Sequence, residues 1–127
     1  MAVPMRLEGF SIRVSDVARS VAFYRDQLGF VVEQEHGTAF ALLRLGEATI
    51  GLLHGDLSRW PEEARNQMHI ELTTDDLEGL YAELQAKGVQ FTEPPHDAPW
   101  ERAMATRDPD GYRVEIAQGR RGQNPPA

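Results

Sequence analysis

The chain has 127 residues, no cysteine and a formal net charge of −7. A chain of this length can bury a core without covalent staples. The lack of cysteine excludes disulfides, thiolate nucleophiles and cysteine metal ligands. Nucleic-acid binding needs clustered lysine and arginine, so the acidic balance argues against a nucleic-acid partner. No apolar run approaches the ~18 residues of a membrane span, and the N-terminus does not read as a signal peptide. We therefore expect a cytoplasmic protein with no membrane partner.

The negative charge has two interpretations. It suits a cationic ligand through long-range attraction. The simpler interpretation, which we favour, is that the charge only keeps the protein soluble.

The first half of the chain reads as a strand, a helix and three further strands. Residues 10–14 alternate apolar and polar side chains, as a half-buried strand does. A helix is predicted over residues 17–28, with Ser15 as its N-cap, Asp16 near its positive end and Gly29 at its C-terminal end. Strand-like runs separated by glycine-containing turns follow at residues 30–34, 39–45 and 48–53.

The same order repeats after a polar linker. His69 opens an alternating strand, and Thr74 or Asp75 is expected to cap a helix over residues 77–87. A short strand is predicted at residues 89–92 and a proline-rich loop at 93–99. The last elements are strands at 102–107 and 112–117, which form a hairpin about the turn Asp108-Pro109-Asp110-Gly111.

The two halves align at an offset of 60 residues, since Val14-Ser15-Asp16-Val17 matches Thr74-Asp75-Asp76-Leu77. This internal repeat predicts an α+β fold of two tandem βαβββ modules. Their curved mixed sheets would surround a cavity, with the helices on the outer face. We expect the modules at residues 7–54 and 68–118, a linker at 55–67 and a disordered tail at 119–127.

Two segments resemble the vicinal oxygen chelate superfamily, which includes glyoxalases, bleomycin-resistance proteins and extradiol dioxygenases. Residues 12–30 resemble its strand-to-helix opening, with Phe-Tyr and Leu-Gly-Phe landmarks, and residues 107–115 resemble its final hairpin. The resemblance runs from about residue 7 to 118. It implies the fold and a homodimer. It does not imply one function, because the superfamily holds lyases, dioxygenases, epimerases, transferases and non-catalytic antibiotic-binding proteins.

The resemblance also implies a site on the first and last strands of each module. In metal-dependent members these strands bring histidines and glutamates to a divalent metal. His69 and Glu115 match these positions in the second module, but the first module has Gly9 and Gly51 there. Glycine cannot bind a metal, so a complete metal site is not expected and His69 and Glu115 are residual candidates. The two glycines are expected to leave room for a bulky organic ligand.

Strand alternation adds further candidates to this site. It places Glu71, Thr73 and Arg113 on the same face as His69 and Glu115. His69 either hydrogen-bonds Glu115 or Glu71 or binds a metal. A salt bridge from Arg13 or Arg113 would satisfy the carboxylate of Glu115. The candidate ligand-binding residues are therefore His69, Glu115, Arg13, Glu71, Arg113 and Trp100.

Two further side chains keep alternative interpretations. Trp100, in the loop before the final hairpin, either stacks on an aromatic ligand or packs against the sheet. His54 should face away from Gly51, unless a β-bulge re-aims it.

The leading interpretation is a small-molecule binding protein of the bleomycin-resistance type. It would sequester an aromatic or cationic ligand and would need no cofactor. The alternative is a lyase, isomerase or dioxygenase that uses His69 and Glu115 as metal ligands or as an acid–base pair, and a divalent metal belongs to that alternative. A structural or regulatory module also stays open.

Overall fold

A computed structural model describes residues 2–119, and the chain divides into two compact units, Met1–Arg59 and Trp60–Ala127. Each unit contains one four-stranded mixed sheet, which confirms the predicted α+β class with two tandem βαβββ modules. The boundary between the units falls inside the predicted linker, while the module bounds 7–54 and 68–118 stay a prediction. The predicted tail lies outside the described residues from position 120 onward. Within the described range, no helix has the length and apolar character needed to cross a membrane.

In unit 1 the first and last strands lie side by side. The strands have the order β1-β4-β3-β2, in which β1 and β4 are parallel and the other neighbours are antiparallel. A parallel pair needs a long crossover, which the helix after β1 begins. The elements are β1 (Gly9–Val14), α1 (Val17–Val21) with a π-helical continuation (Ala22–Gln27), β2 (Val31–His36), β3 (Phe40–Leu45) and β4 (Ala48–His54).

Unit 2 repeats this topology. Its order is β5-β8-β7-β6, again with the first and last strands parallel. A short helix, α2 (Glu62–Arg65), precedes the sheet within the stretch predicted to be linker. The remaining elements are β5 (His69–Thr74), α3 (Leu77–Ala86), β6 (Phe91–Asp97), β7 (Arg102–Arg107) and β8 (Arg113–Gln118).

Strand alternation divides each sheet into a helix-covered face and an open face. The helix-covered face forms the core, and each large apolar side chain that it buries contributes about 1.5–3 kcal/mol. Positively charged, acidic and small side chains fall on the open face, which therefore carries the candidate site. The buried core side chains include Ile12, Val14, Val17, Ile50 and Leu52 in unit 1 and Leu77, Leu84, Met104, Val114 and Ile116 in unit 2.

The helix caps differ from the prediction by one or two residues. Asp16, rather than Ser15, caps α1, because its Oδ1 accepts a hydrogen bond from Arg19 N at 3.1 Å. Asp76, rather than Thr74 or Asp75, caps α3 by accepting from Gly79 N at 3.0 Å. In both units the N-cap is the residue immediately before the first helical turn. Its backbone is not helical, as capping geometry requires.

The first helix also changes its hydrogen-bond pattern midway. It is α-helical only over Val17–Val21, and the bonds then widen, with Leu28 N donating to Phe23 O at 3.2 Å. This π-helical segment buries both Phe23 and Tyr24, whose rings meet edge to face at 5.0 Å. The helix predicted over residues 17–28 is therefore present, but it is α-helical only in its first part.

The proline-rich segment predicted as a loop is instead the strand β6. Its pairing with β7 shifts register twice, between Phe91 and Glu93 and between Glu93 and His96. These shifts accommodate Pro94 and Pro95, which lack the N–H that a regular ladder needs. The predicted short strand at 89–92 and loop at 93–99 are both corrected by this observation.

The hairpin turn before β8 is organised by one buried carboxylate. Asp108 Oδ1 accepts from Asp110 N at 3.0 Å and from Tyr112 N at 2.9 Å. Arg65 Nε of α2 donates to Asp110 O at 2.7 Å and holds the turn from outside. The turn thereby fixes the start of β8, where the candidate site begins.

We expect Asp108→Ala to lower the free energy of unfolding by about 2–4 kcal/mol, because it leaves two buried backbone N–H groups without an acceptor. Urea unfolding followed by circular dichroism measures the loss. Asp97→Ala is the matched control, since Asp97 is exposed and pairs only at the surface with Arg102, and a loss below about 1 kcal/mol is expected for it. Equal losses in the two variants would contradict the role given to Asp108.

Candidate functional site

The parallel pairing of β5 and β8 assembles the candidate site in unit 2. The register places His69 beside Arg113 and Glu71 beside Glu115. Alternation then directs all four side chains to the open face. One ligand-type atom each from His69, Glu71 and Glu115 lies within 4.8 Å of the others. The structure therefore brings together four of the six residues proposed from the sequence.

Glu115 is the shared acceptor of this group. Its Oε2 lies 3.3 Å from His69 Nδ1 and 3.7 Å from Arg113 Nε. Arg113 Nη1 also donates to Glu93 Oε2 at 2.5 Å, and Glu101 hydrogen-bonds Glu115. We call the resulting set the unit 2 cluster, which consists of His69, Glu71, Glu93, Glu101, Arg113 and Glu115.

The pKa values of two glutamates at the edge of the cluster, Glu93 and Glu101, are shifted in opposite directions. The pKa of Glu101 is raised, first by its hydrogen bond to Glu115 and then by burial and the charges of Glu115 and Glu71. The pKa of Glu93 is lowered, chiefly by its hydrogen bond from Arg113. Glu101 therefore holds a proton more tightly than usual, and Glu93 less tightly.

Unit 1 presents the same register without the same chemistry. Its parallel pair sets Gly9 opposite Thr49 and Ser11 opposite Gly51. The positions that match His69, Glu71 and Glu115 are thus Gly9, Ser11 and Gly51. None of these three residues carries an imidazole or a carboxylate.

The two glycines do not mark empty places for side chains. A Cβ atom on Gly9 would overlap the carbonyl oxygen of Thr49, and one on Gly51 would overlap Ser11 Oγ. The expectation that these glycines leave extra room for a bulky ligand is therefore wrong, because neighbouring atoms already occupy the space beside them. Both glycines nevertheless line a pocket of about 270 Å³ on the open face of unit 1.

The other residues proposed from the sequence lie outside the unit 2 cluster. Arg13 belongs to unit 1, where its Nη1 donates to His54 O at 3.2 Å. The Trp100 side chain is 61% exposed, so its indole is accessible and does not pack into the sheet. His54 pairs with Val14 without a bulge in β4 and lines a separate pocket, which also includes Asp16.

Sequence reasoning did not identify Glu93, Glu101 and His96 as parts of the site. His96 Nε2 lies 3.4 Å from Glu93 Oε1, at the edge of the cluster. The sequence predicts a loop at Glu93 and His96, because Pro94 and Pro95 lie between them. The register shifts of β6 bring Glu93 opposite Ala105, a small residue on the open face. In the sequence, only its position next to Trp100, a candidate ligand-binding residue, indicates that Glu101 belongs to the site.

The unit 2 cluster fits a divalent metal only in part. One imidazole and two carboxylates are donor types that such metals accept. However, the guanidinium of Arg113 lies 3.7 Å from the Glu115 oxygen that would bind the metal, and Glu101 is hydrogen-bonded to the same carboxylate. A metal would have to displace both interactions, and the matched positions in unit 1 add no donor.

The comparisons with known proteins decide the family. Residues 6–116 match the family described as the Glyoxalase/Bleomycin resistance protein/Dioxygenase superfamily. The chain belongs to this superfamily. It is also 32% identical over 124 residues to the uncharacterized protein YraH of Bacillus subtilis (strain 168), an alignment that covers 88% of this chain and 97% of YraH.

Solved structures of similar fold include both binding proteins and enzymes. The antibiotic binding protein TnmS3 from Streptomyces sp. CB03234 is 27% identical, with a TM-score of 0.72 over 94% of this chain and 99% of that one. A lactoylglutathione lyase from Agrobacterium tumefaciens is 18% identical, with a TM-score of 0.73 over 91% of this chain and 95% of that one. At this lower identity the lyase likeness shows the fold alone.

The opposite pKa shifts of Glu101 and Glu93 predict opposite effects of two matched substitutions. Ionisation of Glu101 costs stability as the pH rises toward its raised folded-state pKa, so Glu101→Gln should raise the Tm at pH 7. Ionised Glu93 stabilises the fold above its unfolded-state pKa and loses this effect as the pH falls, so Glu93→Gln should lower the Tm at pH 7. The Glu101 difference should vanish once the pH is below the ordinary glutamate pKa, whereas the Glu93 difference should persist to lower pH, because the folded-state pKa of Glu93 is lowered. Thermal unfolding between pH 3 and 8 measures them, and shifts of the same sign would contradict the described geometry.

Proposed function

We propose that the protein binds a small organic molecule reversibly, as bleomycin-resistance-type members of its superfamily do, and that it works without a complete metal site. The observation that carries this proposal is the matched register of the two units. Where unit 2 has His69, Glu71 and Glu115, unit 1 has Gly9, Ser11 and Gly51. Half of the positions that could supply metal ligands therefore have none.

The ligand that we propose is aromatic or cationic. The similarity to an antibiotic binding protein supports the choice of an organic ligand. The exposed indole of Trp100 offers a stacking surface for an aromatic ring or a cation. Close to it in sequence, Glu101 interacts with Glu115 and Glu71, and this concentration of carboxylates favours a positively charged group.

A second candidate function is catalytic, and one observation favours it. The donor atoms of His69, Glu71 and Glu115 lie within 4.8 Å of one another, and three protein ligands with an open position are typical of a catalytic metal. In that case the protein would be a lyase, isomerase or dioxygenase. The homodimer and the cytoplasmic location expected from the sequence stay predictions under either function.

Metal analysis separates the two candidates. Protein expressed with Ni, Zn, Mn and Fe in the medium should carry well under one metal ion per chain after purification, because Arg113 and Glu101 compete for Glu115. Plasma emission spectrometry measures the metal, and treatment with EDTA should leave the Tm unchanged. Stoichiometric metal that Glu115→Gln removes would favour the enzyme instead.

Replacing Trp100 tests the ligand class. Proflavine, a flat aromatic cation, serves as the probe in a fluorescence titration. Trp100→Ala should weaken its binding about fivefold or more, since a stacking contact contributes on the order of 1 kcal/mol.

Trp100→Phe is the matched control for this experiment, because it retains an aromatic face and should preserve most of the affinity. Glu101→Gln should also weaken proflavine but not a neutral ring. If proflavine binds equally well to all three variants, the proposed ligand class is wrong.

A further inference from the structure

We propose that the helix-covered side of unit 1 has a binding site for a neutral primary amide carried on a small apolar group. The site is a crevice at the carboxyl ends of β1 and β4, between the start of the first helix and the turn that joins β2 to β3. We call it the helix-side crevice, and its lining includes Asp16, Val17, Thr38 and His54. It is separate from the proposed function, whose ligand contacts lie on Trp100 and the unit 2 cluster.

The internal repeat identifies the residue that controls this crevice. His54 pairs with Val14 at the end of the parallel ladder in unit 1, and Gln118 pairs with Thr74 at the matched end in unit 2. His54 and Gln118 therefore hold the same place in the two units. Alternation directs both side chains to the helix-covered face of their sheets.

In unit 2 the side-chain amide of Gln118 binds the start of the helix. Its Oε1 accepts a hydrogen bond from Leu77 N at 2.8 Å, and its Nε2 donates to Asp75 O. Leu77 N is the first N–H group of α3, which the helix itself cannot satisfy. A primary amide suits this place because it offers one acceptor for the N–H and one donor for the carbonyl group.

In unit 1 no side chain takes this part. Val17 matches Leu77 at the 60-residue offset, and among residues 2–119 its N–H has no hydrogen-bond acceptor. Within the same range the imidazole of His54 makes no hydrogen bond, although it lines the crevice. The two ring nitrogens of histidine point in different directions, so one ring cannot bind an N–H and a carbonyl group side by side as an amide does.

The size and the walls of the crevice suit a small molecule with an apolar part. Its volume is about 460 Å³, within the range of about 300–1,000 Å³ usual for small-molecule pockets. One wall is apolar and consists of Val17, Ala18 and Val21 of the first helix with Ala41 of β3. An amide attached to a ring or a short branched chain can therefore contact this wall while it bonds to the helix start.

The charges at the crevice favour a neutral ligand. The carboxylates of Asp16 and Glu35 line it, and so does Arg25. The guanidinium of Arg25 is already bound to Asp26 by two hydrogen bonds, at 2.7 and 3.2 Å. An anion would meet two like charges and a neutralised cation. An ammonium group has no acceptor atom for the first N–H of the helix.

Three probes of nearly equal shape test the site: benzamide, acetophenone and benzoate. Acetophenone keeps the carbonyl group but has a methyl group in place of the amide nitrogen, and benzoate carries a negative charge. Binding is measured by two-dimensional NMR titration of the isotope-labelled full chain. We expect benzamide to shift the amide signals of Val17 and Ala18. Acetophenone should bind about threefold to tenfold more weakly, the effect of one hydrogen bond, and benzoate should not bind.

His54→Gln gives unit 1 the side chain that unit 2 has at this place. The new amide should bind Val17 N, raise the Tm by a few degrees and weaken benzamide about tenfold or more, because a tethered group competes at high effective concentration. His36→Gln is the matched control. The ring of His36 lies beside Gln34 and Phe40 and outside the crevice, so this variant should bind benzamide as the unmodified protein does.

Ala18→Leu tests the apolar wall without changing a hydrogen bond. Ala18 is exposed, and leucine is a good helix former, so the variant should keep its fold and its Tm. The larger side chain occupies part of the crevice, and benzamide and acetophenone should both bind more weakly.

Each result supports the amide site or overturns it. The inference is overturned if benzoate or acetophenone binds as tightly as benzamide, if none of the probes binds, or if His54→Gln or Ala18→Leu has no effect on benzamide. Benzamide that shifts the signals of Glu115 instead of Val17 also overturns it, while leaving the proposed function intact. Failure of proflavine binding, with benzamide behaving as described, would overturn the proposed aromatic or cationic ligand alone.

Discussion

The parallel pairing between the first and last strand of each unit is the constraint on which the candidate site depends. In unit 2 it sets Glu71 beside Glu115, and in unit 1 it sets Ser11 beside Gly51. Residues 44 positions apart in unit 2 and 40 apart in unit 1 thereby become neighbours. In each unit the helix and the two strands that follow it together form the connection between the paired strands, and these two strands also complete the sheet.

The same backbone frame supports two different kinds of surface. In unit 2, acidic side chains surround Arg113 and His69. Glu115 Oε2 contacts both of them, at 3.3 Å from His69 Nδ1 and 3.7 Å from Arg113 Nε. In unit 1, the residues at the matched positions are small. The Thr49 carbonyl group lies so close to Gly9 that no side chain fits at that position. An internal repeat can therefore diverge in charge and shape while its register stays constant.

The sequence predicted the parts of this structure that depend on periodicity. The 60-residue offset identified the repeat, and alternation along β5 and β8 correctly grouped His69, Glu71, Arg113 and Glu115 on one face. Turn chemistry located the hairpin at Asp108–Gly111.

The remaining features depend on contacts that periodicity does not encode. The π-helical bonds after Val21 arise where Phe23 and Tyr24 are both buried. The β6 strand forms despite two prolines because β7 pairs with it around them. Glu101 joins the cluster from a loop, and the overlap at Gly9 depends on the position of the Thr49 carbonyl group.

The prolines of β6 also bear on how the protein behaves at high concentration. β6 is the outermost strand of its sheet, and an exposed strand edge can recruit strands from other molecules and start aggregation. Pro94 and Pro95 offer no N–H for such pairing, and the two register shifts interrupt the straight edge that an incoming strand would need. The unit 2 sheet thus has one edge that resists uncontrolled polymerisation.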